Sequence, residues 1–150
     1  MKSHALLDSL GPEPLADEFD GKYLFRHSRK RSVAVKNYIM NGHIVVGVGN
    51  IYASEALFLA GVRPMRPAGK VSKAEYARLS DAIKSVLAKA IKVGGTTLRD
   101  FTGSDGQAGY FRQKLNVYER DQKACRICDT KIKRIVIGQR SSFYCPKCQS

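Results

Sequence analysis

Near its end this 150-residue chain reads "CRICDTKIKRIVIGQRSSFYCPKC": a C-x2-C pair at Cys125 and Cys128, sixteen intervening residues, then a second pair at Cys145 and Cys148. These are all the cysteines it has. A C-x2-C turn brings two thiolates close enough to share one tetrahedral ion. The stretches "KIKRIVI" and "SSFYC" alternate like two strands joined near Gly138-Gln139, which returns the second pair to the first. The pattern therefore predicts a β-hairpin with one structural Zn2+ at its base, and a segment this poor in core residues needs the metal to fold. Paired disulfides would suit a secreted chain, but "MKSHALLDSL" lacks the regions of a signal peptide. A redox C-x-x-C would need a surrounding βαβ pattern, which is missing. A zinc ribbon does not by itself specify function, since many only hold chain ends together.

The charge narrows the choice of partner. Lys and Arg number 26 against 13 Asp and Glu, and the excess is concentrated. Residues 22–40 carry six bases and no acid, residues 111–150 ten bases and three acids, while residues 1–21 are acidic. Such a balance favours a polyanion. A membrane surface would call for an amphipathic basic helix or a lipidation signal, and neither is evident. The weakly polar run Ile44 to Val62 is broken by Gly47, Gly49, Asn50, Ser54 and Glu55, so it is a poor bilayer span. A cytosolic chain that meets nucleic acid is the first reading, with a basic but merely solvated surface as its alternative.

Along the chain, "LLDSLGPEPLADEFDG" reads as a surface arm or as the entry from a missing domain. "KYLFRHSRKRSVAVKNYIM" suits one or two short helices with a basic exposed side. A helix runs from Asn50 to about Ala60, where Gly61 and Pro64 stop it. Ser72-Lys73-Ala74-Glu75 is a capping box, and the apolar positions from Tyr76 to Ile91 then recur at spacings of three and four until Gly94-Gly95. Residues 94–110 hold five of the thirteen glycines, the mark of a functional or mobile loop. "LNVYER" is a short strand candidate.

The segment "VVGVGNIYASEALF" (residues 45–58) looks at first like a nucleotide-binding turn. Tyr52 stands where G-x-G-x-x-G needs its third glycine and no second βα unit surrounds it, so that reading fails. What remains is a tight turn between two helices, with Asn50 predicted at the N-cap of the second. The capping residue either serves its own helix alone or leaves free N–H groups for an anion, phosphate being the natural one. At the hairpin tip Arg140 is either a solvated turn residue or a phosphate contact, to which its planar fork is suited.

Taken together, "LLDSLGPEPL", "VKNYIM", "VVGVGNIYASEALFLAGVRP", "GGTTLRDF", "DGQAGYF", "VYER" and the cysteine hairpin with "QRSSFYC" resemble, in this order, formamidopyrimidine-DNA glycosylase, the bacterial enzyme family that excises oxidised purines such as 8-oxoguanine. The resemblance implies a mainly α architecture: an N-terminal arm or linker over residues 1–21, a helix-two-turn-helix domain over 22–110, and a zinc-finger β-hairpin over 111–150. It covers only the family's C-terminal half. Members carry their Schiff-base proline and a glutamate in an N-terminal domain that this chain, beginning Met1-Lys2-Ser3, does not contain. The chain alone is thus expected to bind zinc and duplex DNA with an oxidised base or abasic site, with little or no excision, and to act with the missing domain.

Residue by residue, Asn50 and Arg140 match the family's phosphate clamp. Arg140 also takes the place of an arginine assigned a proton-donating role in the second elimination, although a guanidinium of such high pKa reads more readily as an electrostatic clamp. Lys36 and Arg31 fall where DNA-contacting bases occur. The loop at about 95–110 corresponds to a lid over the everted base, with Thr97, Ser104, Gly106, Gly109 and Tyr110 as contacts. Ala108 replaces a more usual proline and Glu119 a common glycine. The family's full-length members imply a monomer in the bacterial cytoplasm, without membrane contact. The related endonuclease VIII branch shares turn and hairpin, but "GGTTLRDF" and "DGQAGYF" point to the purine branch. A stand-alone zinc-ribbon module for nucleic acid explains charge and cysteines, yet gives no reason for a glycine-rich lid.

Overall fold

The computed structural model describes residues 11–94 and 115–150. Among the described residues four α-helices come first: α1 (Gly21–Ser28), α2 (Val35–Met40), α3 (Asn50–Ala60) and α4 (Lys73–Gly94), with a 3-10 turn at Ala68–Lys70 before the last. A two-stranded antiparallel hairpin follows, β1 (Lys133–Ile137) and β2 (Arg140–Tyr144). The mainly helical class and the terminal hairpin are as the sequence implies.

Each helix start has a local cause. The Asp20 carboxylate accepts from the Tyr23 amide at 2.9 Å and caps α1. Gly21 lets that end lie on α4, because a Cβ there would stand 2.5 Å from the Ala77 Cα. The short α2 has no side-chain cap, and the 64–66 loop substitutes for one: the Val35 and Lys36 amides donate to the Arg66 and Pro64 carbonyls at 2.6 and 3.2 Å. The predicted capping box of α4 forms reciprocally, Ser72 N to Glu75 Oε1 at 2.9 Å and Glu75 N to Ser72 Oγ at 3.1 Å. Arg66 forks onto the same carboxylate, at 2.6 and 3.1 Å, and its hydrogen bonds hold Glu75 well down at about 2.

Helix α3 is apolar nearly all round, as a central helix must be. It packs on α4, which also carries α1, and the core between them includes Leu24, Tyr38, Leu57, Tyr76, Leu79, Ile83 and Leu87. Tyr38 and Tyr76 keep their hydroxyls satisfied by donating to the Leu24 and Ala68 carbonyls at 2.8 and 2.7 Å.

Two expectations are corrected. The described residues of the predicted surface arm are laid onto the helices: Phe19 is fully buried in the core, Gly11 N donates to Gly42 O, and Val46 N donates to Pro12 O. Burial of a phenylalanine outweighs the acidic, proline-rich composition that suggested an arm. "LNVYER" is not a strand over its described residues Leu115–Arg120, because its amides are claimed by a side chain, the Glu55 carboxylate.

The hairpin closes as predicted at Gly138 and Gln139, with φ of 55° and 69°, the positive pair that a two-residue type I′ connection requires. A small second core of Val117, Cys125, Ile132, Phe143 and Cys145 takes in Phe58 of α3, so the metal-binding unit is fastened to the central helix. The chain end is fastened too. Arg63 donates to the Gln149 and Pro146 carbonyls at 2.9 and 2.6 Å, and the Gln149 carboxamide bridges the Cys145 amide to the Val62 carbonyl at 2.7 and 2.8 Å.

Candidate nucleic-acid interface

Between α2 and α3 the chain makes two successive turns. One is closed by the Ile44 amide on the Asn41 carbonyl at 2.9 Å, and the other passes through Gly47 at a φ of 83°, where a side chain would be strained. The residue capping α3 is Gly49, not Asn50, and it makes no side-chain cap. Asn50 occupies the first helical position instead. The shift of one residue frees its carboxamide for tertiary bonds, which is why the predicted cap does not form. Its Oδ1 accepts from the Lys36 ammonium, and its Nδ2 donates to the Ser141 carbonyl on β2 at 3.1 Å. The amides of Asn50 and Ile51 find no acceptor among the described residues.

The alternation of the hairpin explains why Ser141 is available. Ile137 and Arg140 flank the tip as a hydrogen-bonded pair, so the backbone groups of the next residue, Ser141, point out of the ladder toward α3. Gly138 tightens the junction from the other side: a Cβ there would stand 2.7 Å from the Asn37 Nδ2 of α2. Hairpin tip and helix mouth thus meet.

Lys36 is fully buried, and no carboxylate pairs with it among the described residues. Burial, and after it the charge of Arg140, push the ammonium down to about 8. Arg140 itself is exposed and likewise without an acidic partner among the described residues. Among the described residues, two cations and two unclaimed helix-mouth amides therefore gather around the neutral carboxamide of Asn50, with no carboxylate to answer them. That is an unbalanced field, and an anion corrects it.

The structure brings Lys36, Asn50 and Arg140 together but not Arg31. The Arg31 guanidinium lies 5.5 Å over the Tyr38 ring and donates to the His27 carbonyl at 3.0 Å. Residues two apart on a helix point about 200° apart, so Tyr38 faces away from the side on which Lys36 reaches Asn50. Thr97, Ser104, Gly106, Gly109 and Tyr110 lie outside the described residues. Two site residues escaped the sequence reading. Ser141 contributes through its backbone and carries no signal. Glu55 had one: a lone acid inside "ASEALF" must be exposed or answered by donors. It is buried and accepts from the Asn116, Val117 and Tyr118 amides at 2.8, 2.8 and 2.9 Å, tying the helix that carries Asn50 to the segment that leads into the hairpin.

The four cysteine sulfurs lie within 4.8 Å of one another and none is in a disulfide. Cys125 and Cys148 sulfurs are 3.8 Å apart, Cys128 and Cys145 3.4 Å, close to the edge of about 3.8 Å that a tetrahedron of 2.3 Å zinc–sulfur bonds requires. The Ile127 and Cys148 amides donate to the Cys125 and Cys145 sulfurs at 3.4 and 3.3 Å, which orients both sulfurs within the cluster. Hydrogen bonds with Thr130 lower Cys128 to about 6, while burial lifts Cys148 to about 12. Four sulfurs this crowded cannot all ionise without a cation, and the donor set is that of one structural zinc.

This fold and site define a helix-two-turn-helix module joined to a four-cysteine zinc finger. Residues 10–102 match the H2TH domain of formamidopyrimidine-DNA glycosylase, and residues 122–150 match the zinc finger found in that enzyme and in isoleucyl-tRNA synthetase. The chain belongs to the formamidopyrimidine-DNA glycosylase family, of which it comprises the C-terminal H2TH and zinc-finger region. It is 61% identical over 147 residues to the glycosylase of Thioalkalivibrio sulfidiphilus and 60% identical over 146 residues to that of Pseudomonas aeruginosa, covering 98% and 97% of this chain and 54% of each relative. It therefore spans about half the length of the curated relatives it matches. Among solved structures it resembles the MutM (Fpg) protein of Thermus thermophilus, with a TM-score of 0.82 and 35% identity over 97% of this chain and 55% of that one. The Lactococcus lactis enzyme, in complex with DNA containing an abasic site, is similar at a TM-score of 0.82 and 32% identity, over 97% of this chain and 54% of that one.

Proposed function

We propose that this chain is the damaged-DNA-binding half of a base-excision glycosylase and AP lyase acting on oxidised purines. It grips one backbone of duplex DNA beside an oxidised base or abasic site through Lys36, Asn50 and Arg140. The observation that carries the reading is that a buried ammonium and an exposed guanidinium, neither with a carboxylate partner among the described residues, lie close to the mouth of α3. Phosphate is the anion that suits all three. Support for the substrate class comes from the relatives, named for formamidopyrimidine, and from the Lactococcus lactis enzyme in complex with DNA containing a formamidopyrimidine deoxyguanosine.

In this reading the three residues bind and orient the backbone, Arg140 stabilises negative charge on it without giving up its proton, and the zinc holds the hairpin that presents Arg140. In this reading base excision is the work of the part of the relatives that this chain does not span, so this chain supplies grip but little or no excision of its own. The lid role of Thr97, Ser104, Gly106, Gly109 and Tyr110 and the cytoplasmic setting are parts of the same proposal. No described helix is long and apolar enough to cross a membrane.

The test compares the zinc-loaded chain with Asn50→Ala and Arg140→Ala for binding to abasic-site duplex and to single-stranded RNA. Each variant should weaken duplex binding. With roughly four phosphate contacts, the slope of log affinity against log salt is about −3.6. Preference for RNA together with indifference to both substitutions sinks the proposal and favours a general nucleic-acid module.

A further inference from the structure

Gln139 stands at the second position of the hairpin tip with a φ of 69°, a left-handed backbone that disfavours any residue with a Cβ. Glycine would be the relaxed choice there. The side chain is exposed, and its carboxamide has no hydrogen-bond partner among the described residues. Nothing among the described residues, then, rewards a glutamine at this point.

Its surroundings suggest what does. Gly138, just before it, is pressed against Asn37 of α2, and Ser141, two residues on, is bonded to Asn50. The tip is held on both flanks while the exposed Gln139 projects from it, next in sequence to the exposed Arg140. A strained residue kept on a rigid mount at a binding surface is the usual mark of a contact made to a ligand.

We propose that Gln139 is a further DNA-reading residue, whose carboxamide makes a donor–acceptor contact with a base edge next to the phosphate held by Arg140. The chemistry fits: a primary amide presents one acceptor and two donor hydrogens, the complement of base edges, whereas phosphate offers acceptors only. A neutral reader displaces no counterions. Its contribution is therefore independent of salt, unlike that of its neighbour. This inference rests on the DNA-binding reading above.

The experiment uses the zinc-loaded chain and Gln139→Gly, with Arg140→Ala as control, on abasic-site duplexes differing in the bases beside the lesion. Gln139→Gly should melt at a higher temperature, since the tip relaxes, yet bind duplex about three- to tenfold more weakly, the worth of one or two hydrogen bonds. Its salt slope should match the parent's, and its preference among flanking bases should flatten. Arg140→Ala should instead reduce the slope by about 0.9. Duplex binding by Gln139→Gly as tight as the parent's, or unchanged discrimination, overturns the Gln139 assignment while leaving the function intact. A parent chain that ignores abasic duplex overturns both.

Discussion

Lys36 and Asn50, fourteen residues apart, are joined side chain to side chain: the buried ammonium donates to the carboxamide oxygen, and the carboxamide nitrogen donates to the Ser141 carbonyl. The chemistry at the two ends settles which way the amide points, because an ammonium can only donate and a carbonyl can only accept. Asn50 is thereby fixed between helix and hairpin before any ligand arrives, and pre-organisation of this kind lowers the ordering cost of binding.

The depressed titration of Lys36 gives opposite pH dependences for folding and for binding. The unfolded chain titrates this lysine near 10.5 and the folded chain at about 8. Between those values the unfolded state holds more protons, so this residue makes folding more favourable as pH rises through the window. Below about 8 the folded protein carries the buried charge at full cost. A phosphate contact needs the ammonium, so duplex affinity should fall as pH climbs above about 8. Lys36→Arg, charged throughout, should lose that fall. Fluorescence anisotropy at several pH values measures it, and an identical profile in parent and variant refutes the assignment.

Glu55 should matter more than its distance from the site suggests. Glu55→Ala strands three backbone donors, two of them half-buried and one fully buried, and should destabilise the chain by about 3 kcal/mol or more. The loss should appear as faster hydrogen exchange at Asn116, Val117 and Tyr118, together with weaker duplex binding through a loosened hairpin. Unchanged exchange at those amides would mean that the carboxylate is not the latch.

Zinc removal should separate the two parts of the molecule. With the ion chelated, residues 122–150 lose the tether of their four sulfurs and should unfold, because their own core is small. Helical circular dichroism should largely persist, since α3 and α4 pack on each other without the finger. Duplex binding should fail with the loss of Arg140 and Ser141. Cys145→Ser should reproduce the loss at low zinc, and retention of full affinity after chelation would contradict it.

Glu119 sits at a φ of 58°, in the left-handed region, at the position where the sequence resemblance leads one to expect glycine. Glu119→Gly should therefore relieve about 1 kcal/mol of backbone strain, set against the extra freedom of glycine in the unfolded chain and the loss of the glutamate's own side-chain interaction. Thermal melting of the zinc-loaded chain reads this directly. A lower melting temperature would show that the glutamate side chain contributes more than its backbone costs.

What the amino-acid order determined alone was everything written in a motif: the cysteine spacing and with it the metal, the Ser72–Glu75 capping box, the α4 face, and the turn at Gly138-Gln139. Each is carried by a fixed spacing of residue types, so a linear pattern reveals it. The tertiary structure decided the rest. Asn50 was misread as a cap because local propensity favours asparagine there, whereas its actual partners are 14 and 91 residues away. Phe19 drew a seemingly polar arm onto the core, and Glu55 turned an expected strand into three donors for one carboxylate. Which residues meet across such separations follows from how the helices cross and where the hairpin docks, and those are properties of packing that no short window of sequence contains.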